Sequence, residues 1–151
     1  RRRHAGAQFQ IVGSSPSPAV LRLAAPGVHV TGRVADMRPY LAHADVCVAP
    51  LRIARGIQNK VLEAMAMGRP VVASLGAFEG ISATPGRDLL VADGAAATAA
   101  AIGEILAGSH PAMCAAARQA MERGYAWTAV LRPLDAILAS FPTRTVLERA
   151  P

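Results

Sequence analysis

Short apolar runs alternate with stretches of helical period along most of the chain. The segments AQFQIVG (7–13), GVHVTG (27–32), DVCVAP (45–50), VVAS (71–74) and DLLVAD (88–93) read as five strands, bounded by glycine, proline, serine or aspartate. Between and after them, apolar positions recur every three to four residues. That spacing predicts helices over 18–25, 36–44, 56–67, 95–107, 111–124 and 128–140. Asp36 is placed to cap the second of these. Gly68, Arg69 and Pro70 end the third. The run at 45–50 is continuously apolar, which predicts a strand buried on both faces. Strands alternating with helices predict an α/β fold, a Rossmann-like parallel sheet with flanking helices. In such sheets ligands bind beyond the carboxyl ends of the strands. The loops at Gly13, 32–35, 50–56 and 74–81 are therefore expected to line one cleft.

The stretch RGIQNKVLEAMAMGRPVVAS (55–74) carries the most chemistry. It reads as a helix opened by glycine and followed at once by a buried strand. At about 100° per residue, Gly56, Asn59, Lys60 and Glu63 share one stripe, and Ile57, Val61, Ala64 and Met65 lie opposite. Free N–H groups of a first helical turn bind anions. A carboxylate further along can accept hydrogen bonds from sugar hydroxyls. The pattern suits a phosphorylated, hydroxyl-bearing ligand.

Composition narrows the picture. With 151 residues, 52% hydrophobic and 17% charged, the chain has one domain's worth of core and is not disordered. No apolar run approaches the ~20 residues of a membrane span. The start, RRRHAGAQ, lacks the apolar stretch of a signal peptide and an initiator Met, so the chain is expected to begin inside a longer protein. The net charge of +6 is carried by scattered arginines, with Lys60 the only lysine and aromatics at 4%. This reads as solvated surface rather than a nucleic-acid footprint, and leaves room for peripheral contact with an anionic membrane. Cys47 and Cys114 fit neither a disulfide framework nor a zinc pattern and are expected to be buried thiols of a reducing cytoplasm. His43 stands four residues before Cys47 with no third ligand nearby, so no metal site is read there. His4, His29 and His110 are isolated. Tyr125 and Trp127 are expected to anchor the last helix to the body.

From Gly32 to Asp93 the chain resembles the C-terminal, donor-binding domain of retaining glycosyltransferases of group one, family four, which have the GT-B fold. The resemblance rests on QIVG, GRVADMRPYLAHADVCVAPL, GIQNKVLEAMAMGRPVVAS, GRDLLVAD and the late GYAW, in that order. The wording of 56–74 is most similar to sugar transferases associated with exosortase and exopolysaccharide gene clusters. The resemblance implies a UDP- or GDP-sugar donor. It implies that Glu63 holds the ribose hydroxyls and that the amides of Gly56 and Ile57 face the diphosphate. Gly32, Arg33 and Val34 match the loop beside the base. Leu75 to Ile81, with Glu79, Gly80 and Ile81, match the loop that closes over the donor.

Two departures stand out. The family often has a glutamate eight residues before the Glu63 position, and here that residue is Arg55. An arginine cannot accept hydrogen bonds from a sugar, but it pairs bidentately with anionic oxygens. Arg55 and Lys60 are therefore read as catalytic, stabilising charge on the leaving diphosphate, and Glu79, in the next loop, as a replacement for the absent carboxylate. In addition, the first, central strand of the domain is missing, so residues 1–141 are read as a partial Rossmann-like domain and 142–151 as a flexible tail. The strands at 7–13 and 45–50 would then either leave costly open edges or pair directly.

The resulting expectation is the donor half of an enzyme that moves a sugar from a nucleotide sugar to a hydroxyl acceptor, in polysaccharide or glycan biosynthesis. It would be cytoplasmic, at most at the inner membrane face, inactive alone, and without cofactor or metal. The acceptor, a glycan or lipid-linked glycan, would be held by the missing half. A non-catalytic nucleotide-sugar binding module and a fragment of a GT-B epimerase are the alternatives.

Overall fold

The computed structural model describes residues 4 and 6–141; the segment read as a flexible tail lies outside the described residues. In chain order the elements are β1 (Phe9–Val12), α1 (Pro18–Leu21), β2 (Val28–Gly32), α2 (Arg38–Ala42), β3 (Cys47–Ala49), α3 (Asn59–Ala66), β4 (Val71–Ala73), α4 (Leu75–Phe78), β5 (Leu90–Val91), α5 (Gly94–Leu106), α6 (Met113–Gly124) and α7 (Trp127–Ser140). All five strands foreseen in the sequence are present, and every strand pair is parallel. The α/β class is as read.

The strands form two sheets. β1 pairs with β2, and β4 lies between β3 and β5. Direct pairing of β1 with β3, one of the two outcomes expected for a domain without its central strand, does not occur. The Cys47 N–H donates to Pro70 O, and the Ala49 carbonyl accepts from Ser74 N–H, so both residues face β4. Only Val48 turns its polar backbone outward in β3.

The core follows this division. The buried apolar residues begin at Ala49; no described residue before it is buried. β4 is buried throughout, as the middle strand of a covered parallel sheet should be. It shares one buried cluster with Val61, Ala64 and Met65 of α3, Leu89, and Ala117, Ala120 and Met121 of α6, where α3 packs on β4 and α6 packs on α3. β3, expected to be buried on both faces, has only Ala49 fully covered. Cys47 and Cys114 are free and half-buried rather than buried.

Several boundaries moved for local reasons. The first helix is one turn long: Ser17 caps it, and the chain then tightens into i−3 bonds before Pro26 and Gly27. Asp36 is not the cap residue of α2, which is Met37, although the Asp36 carboxylate accepts from Arg38 N–H at 2.9 Å. The loop after β4 contains a helical turn, α4, whose cap is Ser74. Its Oγ accepts from Ala77 N–H at 3.2 Å and donates to Leu51 O at 2.7 Å. That hydroxyl ties together the loops that follow β3 and β4, both at the carboxyl end of their sheet.

Candidate donor site

α3 starts three residues later than its pattern suggested. Gly56 takes a left-handed φ of 66°, and Gln58 is extended at ψ 96°, so helical geometry begins at Asn59. The Gln58 side-chain amide donates to the carbonyls of Arg55 (3.2 Å) and Gly56 (2.9 Å), fixing the loop that presents Arg55. Val61 N–H already bonds Gln58 O. The unpartnered donors of the first helical turn are therefore those of Asn59 and Lys60, while the N–H groups of Gly56 and Ile57 lie in the loop just before it. Asn59, Lys60 and Glu63 form an exposed stripe, as the periodicity predicted. Val61, Ala64 and Met65 are buried on the opposite side. Ile57 lies outside the helix and is half exposed.

The residues singled out in the sequence fall into three places. Arg55, Gly56, Ile57, Glu79 and Gly80 line one pocket of about 350 Å³. Ala54 and Gly76 complete its wall; they belong to the 50–56 and 74–81 loops expected to line the cleft, but neither was singled out by itself. Glu63 lies one turn along α3, in an open groove between α3 and α6 with Leu62, Ala66, Met121 and Tyr125. Arg118 and Glu122 form an ion pair at 2.9 Å on its rim. Gly32 ends β2, in the other sheet, and Arg33 and Val34 follow it, with Arg33 exposed and its neighbours half-buried. Ile81 belongs to the core and does not offer its side chain to a ligand.

The charges on the described residues are unevenly used. Arg38 pairs with Asp36 at 2.9 Å, and Arg87 with Asp88 at 2.7 Å. Arg55, Lys60, Glu63 and Glu79 have no ion-pair partner among the described residues. Leu75 N–H donates to Asp93 Oδ1 at 3.0 Å, which pins the start of α4 beside the pocket. Tyr125, expected to anchor the last helix, is part-buried at the end of α6 and accepts from Ser82 N–H at 2.7 Å, which ties the α6–α7 junction to the loop after α4. Trp127 does not: it is 78% exposed. His43 Nδ1 lies 2.8 Å from Pro39 O, a structural role, while His110 stands 3.4 Å from Glu104 rather than alone. No three potential metal ligands cluster among the described residues. None of the described helices is long and apolar enough to cross a membrane.

Known structures share this fold. The sucrose-phosphate synthase of Thermosynechococcus elongatus superposes with a TM-score of 0.73 at 24% identity, over 87% of this chain and 38% of that one. A glycosyltransferase from Rickettsia africae gives 0.74 at 17%, over 90% and 40%. Anabaena HepE in complex with UDP-glucose gives 0.67 at 18%, over 89% and 41%. The fold shared is that of GT-B glycosyltransferases, and this chain spans about two fifths of the length of each of the three. No curated protein matches the chain in sequence. Residues 1–108 match the profile of glycosyl transferases group 1, and the chain belongs to that family.

Proposed function

We propose that the chain is the donor-binding part of a retaining glycosyltransferase that moves a sugar from a nucleotide sugar to a hydroxyl acceptor, in polysaccharide or glycan biosynthesis. The observation that carries this is the exposed stripe of α3, which runs from a glycine-walled pocket past two free amides and Lys60 to an unpaired carboxylate. At 1.5 Å of rise per residue, Glu63 lies ~5 Å beyond the first turn. That is about the separation of a diphosphate from the ribose hydroxyls of the same nucleotide. The diphosphate sits at the Asn59 and Lys60 amides with the Lys60 ammonium. Glu63 accepts from the ribose, and Gly32 to Val34 border the base. The donor sugar occupies the pocket of Arg55 and Glu79. Anabaena HepE, solved with UDP-glucose, supports a nucleotide-sugar ligand for this fold.

The protein's contribution to the reaction is then positioning of the donor and stabilisation of charge on the departing diphosphate. The acceptor, a glycan or lipid-linked glycan, is held by a part of the enzyme beyond this chain. The wording of 56–74 points to an exopolysaccharide pathway at the cytoplasmic face of the membrane.

Calorimetric titration of UDP, GDP and their sugars tests the reading. One base is expected to bind, and Glu63→Ala to weaken it about tenfold, the scale of one lost charge-assisted hydrogen bond. A chain that is folded by circular dichroism and binds no nucleoside diphosphate overturns it.

A further inference from the structure

The pocket beside α3 holds two opposite charges that do not meet. Arg55 and Glu79 both line it, yet they form no ion pair with each other, and neither is held by any other charged group among the described residues. Elsewhere in the molecule Arg38, Arg87 and Arg118 are each neutralised by a neighbouring carboxylate. The backbone under Arg55 is fixed by the two hydrogen bonds from Gln58, so the guanidinium leaves from a defined place. On the facing side Gly80 has φ 78°, and a Cβ there would stand 3.6 Å from Ile57 Cγ1, so a side chain would be both strained and in contact with the opposite wall. At about 350 Å³ the space is at the small end of ligand pockets and suits one monosaccharide.

The two charges discriminate between ligands. A diphosphate presents acceptors only; Glu79 would gain no donor from it and would repel it. A neutral hexose offers hydroxyl donors to Glu79 but nothing anionic to Arg55, whose fork matches a carboxylate bidentately. A sugar acid satisfies both. We propose that Arg55 is a specificity-determining residue that selects a donor whose sugar bears a carboxylate, a nucleotide-linked uronic acid. Arg55 holds the carboxylate and Glu79 accepts from the ring hydroxyls. The inference rests on the donor reading above and assigns its sugar class.

The test is calorimetry on the full chain with UDP, UDP-glucose and UDP-glucuronate, and with GDP, GDP-mannose and GDP-mannuronate. It is run for the native sequence, Arg55→Gln and Glu79→Gln, with matched thermal melts to show that these exposed substitutions leave the fold intact. The uronate is expected to bind about tenfold more tightly than the neutral sugar on the same base, the scale of a charge-assisted bidentate pair. Arg55→Gln is expected to erase that preference. Its affinity loss for the uronate should be about tenfold greater than its loss for the bare nucleotide. Glu79→Gln is expected to weaken both sugars and to leave the preference for the uronate in place. Equal losses on Arg55→Gln for bare nucleotide, neutral sugar and uronate would assign Arg55 to the diphosphate and overturn the inference. So would a native chain that binds the nucleotide well but shows no preference. In both cases the donor reading survives. A folded chain that binds no nucleoside diphosphate removes the donor reading, and this inference with it.

Discussion

Asp88 has no solvent exposure, and it is the only charged residue buried among those described. Its carboxylate accepts from Thr84 N–H at 2.8 Å and from the Arg87 guanidinium at 2.7 and 2.9 Å. These bonds close the turn that delivers Leu89 into the core. The Arg87 hydrogen bond holds the carboxyl below the usual carboxylate range, with Thr84 N–H helping and burial opposing. A lowered folded pKa contributes stability that is complete above the unfolded value, about 3.9, and is lost as pH falls through the folded value. Thermal midpoints are therefore expected to hold steady above about pH 5 and to fall below about pH 4, with Asp88→Asn flattening that dependence. The same substitution leaves one donor unsatisfied and is expected to cost about 2 kcal/mol, or ~4–8 °C in midpoint. An unchanged midpoint would show that the turn is held by something else. None of this was legible in the sequence, where Asp88 reads as the edge of a strand. Apolar pattern reports which residues want burial, not which polar residue is buried with its partners. Glu63 and Lys60 were legible as an exposed stripe because helical period alone places them opposite Val61 and Met65.

At the scale of elements, periodicity located α3, α5, α6 and α7 to within a few residues. It missed two things of a different physical kind. The late start of α3 is set by the left-handed Gly56 and the extended Gln58, which a pattern of apolar positions does not record. The turn α4 is too short to show a period at all. α7 was found, but its environment was not. Trp127, Val130, Leu131, Leu134, Ile137 and Leu138 form one apolar stripe, and all of them are exposed. An amphipathic face shows what a helix is built to bury, and none of the described residues covers this one. Pro133 sits inside this helix and removes one of its hydrogen bonds, so α7 has little intrinsic stability. Replacing Leu134 and Ile137 together by serine is therefore expected to change the thermal midpoint by no more than the scatter of surface substitutions, ~0.5 kcal/mol each. Met65→Ala, in the core, is expected to cost about 2–5 kcal/mol. Light scattering should show less self-association in the serine variant, since a large exposed apolar patch is an association site. A large loss of midpoint there would mean that α7 packs on the chain's own body.

The whole molecule divides where its sheets divide. β3, β4 and β5, with α3 and α6, contain the buried core, while β1 and β2 pair with each other and contribute no buried residue. The strands and their parallel sense were legible because apolar runs separated by helices admit few other arrangements. The gap between sheets was expected only from the family resemblance, since a pattern of apolar positions does not record which strands pair. The physical consequence is unequal stability. Opening β1 and β2 exposes little apolar surface that is not already exposed, so the free energy of that event is small compared with global unfolding. Native-state hydrogen exchange is expected to show the β4 ladder, Val72 and Ala73 in particular, as the most protected region. The β1–β2 ladder, from Phe9↔Val28 to Ile11↔Val30, should exchange through a separate opening at lower cost. Urea should reproduce the division as a broad transition of low slope, because the surface exposed in each step is small. Equal protection across both sheets with a single steep transition would mean that the two sheets fold as one cooperative unit. In that case loop and helix contacts, rather than strand pairing, would carry the coupling between them. The donor site as proposed spans both sheets, with Gly32 to Val34 on one and the α3 stripe on the other. Nucleotide binding should therefore slow exchange in β1–β2 more than in β4, because only the weaker sheet has an opening that the ligand can suppress.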